Sequence, residues 1–168
     1  MSTVNKSDLI LDELKRRRQR EVVDVEEEKV KIVIFSLLDD CFAFYGSDIK
    51  EILPPQTIYF VPGAPDFIMG VINNRGDVES VININRFLGF PDPEMGPQSR
   101  IALAYGAGIR SGILVDSILD VMDVPISLIS PPLSTLDEGK REFVTGEMAY
   151  GNKNVTVLSV GKIFEKVK

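Results

Sequence analysis

The 168-residue chain aligns with itself twice, each time without gaps. At a shift of 69 residues, Ile32 falls on Ile101, Ile49 on Ile118, Glu51 on Asp120 and Ile52 on Val121. At a shift of 76, GVINNRGDVESVININRFL from Gly70 lies over GEMAYGNKNVTVLSVGKIF from Gly146. Val81 then meets Val157, Ile84 meets Val160 and Phe87 meets Ile163. Self-similarity of this kind restricts a chain to building one supersecondary unit twice. Each half reads strand, hairpin, strand, a proline-rich crossing, then strand, hairpin, strand and a short helix. The repeat predicts two similar five-stranded units.

From Val30 onward, short apolar runs are bounded by Gly, Pro, Asn or Asp, at the ~8–12-residue spacing of sandwiches and barrels. They are Ile32–Phe35, Cys41–Tyr45, Ile58–Val61, Met69–Ile72, Val78–Ile84, Ile101–Tyr105, Gly112–Val115, Ile118–Val124, Phe143–Tyr150 and Val155–Val160. Helical periodicity is confined to Asp48–Leu53, Asn85–Leu88 and Lys162–Val167. The expected class is mainly β, in two barrel-like units that hide strand edges, with short helices. Pro54, Pro55, Pro62 and Pro65 make a rigid, extended crossing.

Residues 1–29 are of another kind. They carry seven basic and eight acidic side chains in blocks, Arg16-Arg17-Arg18 with Arg20 and then Glu26-Glu27-Glu28. Leu9, Ile10 and Leu14 sketch an apolar stripe that Arg17 and Arg18 interrupt, so a helix here has little to bury. A charged, flexible extension is expected at 1–29, ahead of a domain at 30–168.

Absences narrow the function. With no histidine, the chain has no His-based triad, imidazole metal ligand or phospho-histidine relay of its own. One cysteine builds neither a zinc nor an iron–sulfur site, and Cys41 reads as a small core residue in a reducing compartment. The formal net charge of −6 argues against a nucleic-acid surface. No apolar run reaches the ~20 residues of a membrane helix, and MSTVNKSDLILDELKRRR lacks the apolar core of an export signal. A cytoplasmic protein without cofactor or metal is expected.

The remaining motifs are weak for catalysis. GAGIRSG (Gly106–Gly112) lies between two strands, so it reads as a hairpin and not as a phosphate loop before a helix. Asp116, Asp120 and Asp123 lack the glycine punctuation of a calcium loop and read as solvated groups or turn caps. Asn73-Asn74-Arg75-Gly76 is a tight turn in which Asn and Gly are expected to supply the positive φ angles. Arg75 is the only basic residue between Lys50 and Arg86, and its matched position is Gly151, so the turn itself does not require it. A bidentate, partly buried bridge to a carboxylate is expected, with Glu51 the first candidate.

At this point FSLLDDCFAFYGSDIKEIL, then VPGAPDFIMGVINNRGDVESVININRFLG, GILVDSILDVMDVP and the closing NVTVLSVGKIFE resemble the CheW-like chemotaxis coupling domain, from about Val30 to Glu165. The most specific stretch is P-x-x-P-D-F-x-x-G-V-I-N-x-R-G. The resemblance implies two packed, SH3-like β-subdomains in a non-catalytic adaptor. It would bridge the cytoplasmic tip of methyl-accepting chemoreceptors to the regulatory domain of a chemotaxis histidine kinase, and reach membrane receptor arrays through those partners. It implies an apolar receptor groove between the subdomains, including Ile49, Gly70, Val115 and Ile118, with Val115 and Ile118 at the surface. Glu51 and Arg75 become polar positions affecting receptor or kinase coupling. Asn74 stands where the family's turn has leucine, Glu79-Ser80-Val81-Ile82-Asn83 replaces its Pro-Val-Ile-Asp strand, and Ser159 stands where an acid is common. The alternatives are a CheW-like scaffold of a non-chemotaxis two-component pathway and, from another class, a hydrolase using Asp116 and Asp120.

Overall fold

The computed structural model describes residues 7, 9–15, 27–132 and 138–168. Ten strands make up its framework: β1 (Lys29–Leu37), β2 (Asp40–Tyr45), β3 (Ile49–Leu53), β4 (Ile68–Asn74), β5 (Asp77–Ile82), β6 (Arg100–Gly106), β7 (Ile109–Val115), β8 (Ser117–Pro125), β9 (Val144–Tyr150) and β10 (Lys153–Leu158). Helices are short: α1 (9–15), α2 (Ile84–Leu88), α3 (Glu138–Arg141) and α4 (Val160–Glu165). No helix among the described residues is long and apolar enough to cross a membrane.

The strands form two five-stranded sheets, ordered β8-β1-β2-β10-β9 and β3-β6-β7-β5-β4. The shift of 69 carries β1, β2 and β3 onto β6, β7 and β8, and the shift of 76 carries β4 and β5 onto β9 and β10. Under that mapping the two sheet orders are identical. Each sheet nevertheless draws strands from both halves, so the five-stranded units are intertwined copies rather than consecutive ones. Two parallel contacts, β10 on β2 and β5 on β7, arise from this exchange, whereas the other pairs are antiparallel.

Alternation along the strands divides the core in three. Ile32, Ile34, Cys41, Ala43, Val155 and Val157 fill one sheet's own interior, and Leu53, Ile72, Val81, Ile101 and Leu114 fill the other's. The opposite faces, with Phe35, Phe42, Phe44, Ile82, Ile113 and Val115, meet in a central cluster with Leu88 of α2 and Ile163 and Phe164 of α4. Strands such as β1, β2 and β7 are covered on both faces. That is why they read as nearly unbroken apolar runs.

Two element assignments differ from expectation. Asp48 only closes a single 3-10 turn, and Ile49–Leu53 is a strand, not a helix: a bulge between Ile49 and Glu51 breaks the period of two in β3 and leaves apolar residues at i, i+3 and i+4. Ile58–Val61 is not a strand; only Tyr59 pairs, in a single bridge with Val71. The charged extension falls partly outside the described residues. Within them, α1 leaves Leu9, Ile10, Leu11 and Leu14 more than half exposed, and the Ile126 N–H donates to Glu28 just before β1.

The hairpins share one turn geometry. Leu38, Arg75, Ala107 and Gly151, matched pairwise by the repeat, all take φ between 51° and 61°. Arg75 and Gly76, and not Asn, supply the positive φ angles of the β4–β5 turn, while Asn73 Oδ1 accepts the Gly76 N–H. Ser159 caps α4, its Oγ accepting the Lys162 N–H at 3.1 Å. An acid at that position would cap the same helix, so the departure leaves the local structure intact.

Candidate functional site

A shallow groove of about 260 Å³ runs where the edge strand of one sheet meets the other sheet. β3 supplies Ile49, Lys50, Glu51 and Ile52; β1 supplies Lys31 and Val33; β8 supplies Val121. Ile52 and Val121 are matched positions of the repeat. The lining is aliphatic with charged margins, and Val121 is 47% exposed. Asp48, immediately before the groove, has its carboxyl held above the usual 3.8 by burial.

Glu51 is the polar anchor. Its Oε1 accepts from the Arg75 guanidinium at 2.7 Å and its Oε2 from the Asn74 amide at 3.5 Å. β3 and β4 are the two edges of their sheet, so this clasp draws the open seam together. The pairing with Glu51 is as expected, but its character is not. The Arg75 side chain is 80% exposed and makes one short contact, with Asn74 taking the other oxygen. Asn74, unusual for the family's turn, thereby has a role.

The second sheet has a counterpart. Tyr150 donates its hydroxyl to Asp120 Oδ2 at 2.9 Å, joining β9 to β8 across the matching seam. Asp120 matches Glu51, and Tyr150 matches Asn74. The hydrogen bond and charge of Asp120 hold the Tyr150 phenol above its usual 10.0. Asp116 is occupied elsewhere, accepting the Leu38 N–H at 2.6 Å. The two aspartates of the hydrolase reading therefore serve separate structural partners.

Not every expected groove residue lies at the groove. Ile49 lines it and also packs against the central cluster, whereas Ile118 does not line the groove and packs, partly buried, against that cluster. Val115, expected at the surface, is fully buried in that cluster because β7 is the middle strand of its sheet. Gly70 is buried beneath the proline-rich crossing: at φ 153°, a Cβ there would overlap the Tyr59 carbonyl oxygen. Its match, Gly146, leaves the same room for Ser130, whose carbonyl oxygen would lie 2.7 Å from a Cβ. Gly70 is needed for this close backbone approach.

Sequence reasoning missed a polar pair across β5 and β7. The buried Glu79 carboxylate pairs with Arg110, and one step along, the Ser80 and Ser111 hydroxyls are 2.8 Å apart. The signal was present in two places: Glu79-Ser80 departs from the family's strand, and Arg110-Ser111 sits in GAGIRSG. Only the parallel contact brings them together.

The family model described as CheW-like domain matches residues 31–168. The protein FrzA of Myxococcus xanthus is 26% identical over 124 residues, covering 73% of this chain and 78% of FrzA. The chemotaxis protein CheW of Bacillus subtilis is 26% identical over 136 residues, 81% of this chain and 87% of that protein. Among solved structures, the scaffolding protein TtCheW of Thermoanaerobacter tengcongensis superposes with a TM-score of 0.71 at 28% identity, covering 82% of this chain and 88% of that one.

Proposed function

Because this chain belongs to the CheW-like domain family, we propose that it is a non-catalytic scaffold coupling chemoreceptors to a histidine kinase in chemotaxis-type signalling. The observation that carries the mechanism is the aliphatic groove between the sheets, formed by Val33, Ile49, Ile52 and Val121. A groove of this shape suits an amphipathic helix, which docks apolar side chains at i, i+3 and i+4. The helical hairpin at the cytoplasmic tip of a methyl-accepting chemoreceptor is the proposed occupant, with Lys31, Lys50 and Glu51 at the margin setting its orientation. Ile49 contacts the receptor directly, and Ile118 and Val115 support the groove from behind through the central cluster. Gly70 acts by fixing the crossing. Arg75 and Glu51 hold the seam beside the groove and transmit occupancy to the kinase, whose regulatory domain docks on the same scaffold. The protein works in the cytoplasm and reaches receptor arrays through these contacts.

The test is a sedimentation assay with a receptor cytoplasmic fragment and purified kinase. Val121→Glu is expected to weaken receptor binding about tenfold or more while the circular dichroism spectrum is unchanged. Val78→Glu, at an exposed β5 position outside the groove, is expected to bind normally. Full binding by Val121→Glu would refute the groove assignment.

A further inference from the structure

The shift of 69 residues carries β1 and β2 of the first sheet onto β6 and β7 of the second. It also carries β3 of the second sheet onto β8 of the first. An operation that interchanges two like units in this way is a two-fold rotation, so the chain has an approximate internal two-fold axis.

That axis runs through the groove. Ile52 and Val121 are each other's match, yet both line the one groove. Their ladder rungs match as well, Val121 lying beside Val33 on β1 and Ile52 beside Ala102 on β6. Matched residues on a shared surface straddle the axis, so the groove is one arm of a surface that continues on the far side. There Arg100, Leu119 and Asp120 stand in place of Lys31, Lys50 and Glu51. Where the first arm has Gly46, the second has the fully buried Val115. Its floor is filled, and it forms a strip rather than a hollow.

The chemistry of the two arms agrees beyond what packing requires. Glu51 and Asp120 serve the two seams. No such task explains the aliphatic side chains of Val121 and Leu119, 47% and 42% exposed, or a basic residue at both 31 and 100. The Lys31 stem lies against Gly46, where a Cβ would come within 2.7 Å of its Cγ. Arg100 donates to the Pro97 and Ser99 carbonyl oxygens at 3.0 and 2.7 Å. Among the described residues neither cation pairs with a carboxylate.

We propose that this two-armed surface takes an antiparallel pair of amphipathic helices, one on each arm, with the two-fold axis of the pair along that of the chain. The proposal rests on the groove's being a helix-docking site, and adds how many helices it holds and their relative direction. Antiparallel helices packed about 8–10 Å apart are themselves related by a two-fold axis, and surfaces sharing such an axis make each contact twice. Ile52 and Val121 lie beneath the line between the helices, and Lys50 and Leu119 each meet one of them.

The full chain, with p-benzoylphenylalanine in place of Lys50 or of Leu119, is photolysed with a receptor cytoplasmic fragment, and cross-linked peptides are identified by mass spectrometry. Position 50 is expected to mark one helix of the hairpin and position 119 the other. In the sedimentation assay, Leu119→Glu is expected to weaken binding about fivefold or more with an unchanged circular dichroism spectrum, although Leu119 lies outside the groove. Leu119→Ala, which adds no charge, is expected to weaken it about twofold or more. Cross-links from both positions to the same helix, none from position 119, or parental binding by both Leu119 variants would overturn the proposal. If Val121→Glu still loses binding in that case, the groove holds a single helix. Parental binding by Val121→Glu would remove the groove itself, and this proposal with it.

Discussion

Replacing Arg75 sets two effects against each other, and the structure fixes their signs. At φ 55° an L side chain is strained, whereas the matched hairpin has glycine at φ 61°. Glycine in such a turn is favoured by about 1 kcal/mol net, after its greater freedom in the unfolded chain is counted. Against this stands the pair with Glu51. With the Arg75 side chain 80% exposed, the pair contributes about 0.2–1 kcal/mol. Arg75→Gly removes strain and pair together, so its stability should equal or slightly exceed that of the parent. Arg75→Ala loses the pair and keeps the strain, and should fall by about 0.2–1 kcal/mol. The gap of about 1 kcal/mol between the variants corresponds to roughly 2–4 °C in thermal midpoint for a chain of this size. Urea unfolding at constant m-value measures it, and 1 M salt should shrink the difference between Arg75→Ala and parent. If Arg75→Gly is as destabilised as Arg75→Ala, the turn is unstrained and the reasoning fails. Both variants break the clasp, so both should weaken receptor-dependent kinase control whatever their stability. Normal control in either would detach Arg75 from signalling.

Gly70→Ala should cost about 2–3 kcal/mol, since the added methyl meets the Tyr59 carbonyl; a neutral result by calorimetry would show that the crossing yields. The Tyr150 phenol is held above its usual 10.0 by Asp120, so the folded state binds this proton more tightly than the unfolded. Its stabilisation is complete below that value and is lost as pH rises through the folded-state pKa. Denaturant midpoints measured upward from pH 9 should therefore decline less steeply for Tyr150→Phe. Removing residues 1–26 should leave the thermal midpoint within roughly 1 °C, because the aliphatic residues of α1 are exposed; a loss of several degrees would mean that the helix docks.

The repeat made both sheets legible because matched apolar positions at a fixed offset survive whatever the strands pair with. Partner choice was not legible. Val155 and Cys41 are adjacent in a parallel ladder, but their alternation would be the same in any sheet with two covered faces. β3 was misread because the bulge at Lys50 makes Ile49, Ile52 and Leu53 mimic a helical stripe. Of the site, the Glu51–Arg75 pair was recoverable, since Arg75 is the only basic residue between Lys50 and Arg86 and the turn itself does not require it. Val115 was misplaced because a residue's depth depends on strand order, which SGILV does not encode. Gly70 carried an unused clue: glycine recurs at the matched position 146, as close backbone approach in both halves requires.

The exchange of strands also dictates when this protein can fold during synthesis. β2 must wait for β10, whose Val155 lies more than a hundred residues downstream of its partner Cys41. At ribosomal speeds of about 5–20 residues per second, that interval is on the order of ten seconds. Throughout it, the apolar edge of β2 is a nascent strand without its neighbour, open to chaperones and to other emerging chains.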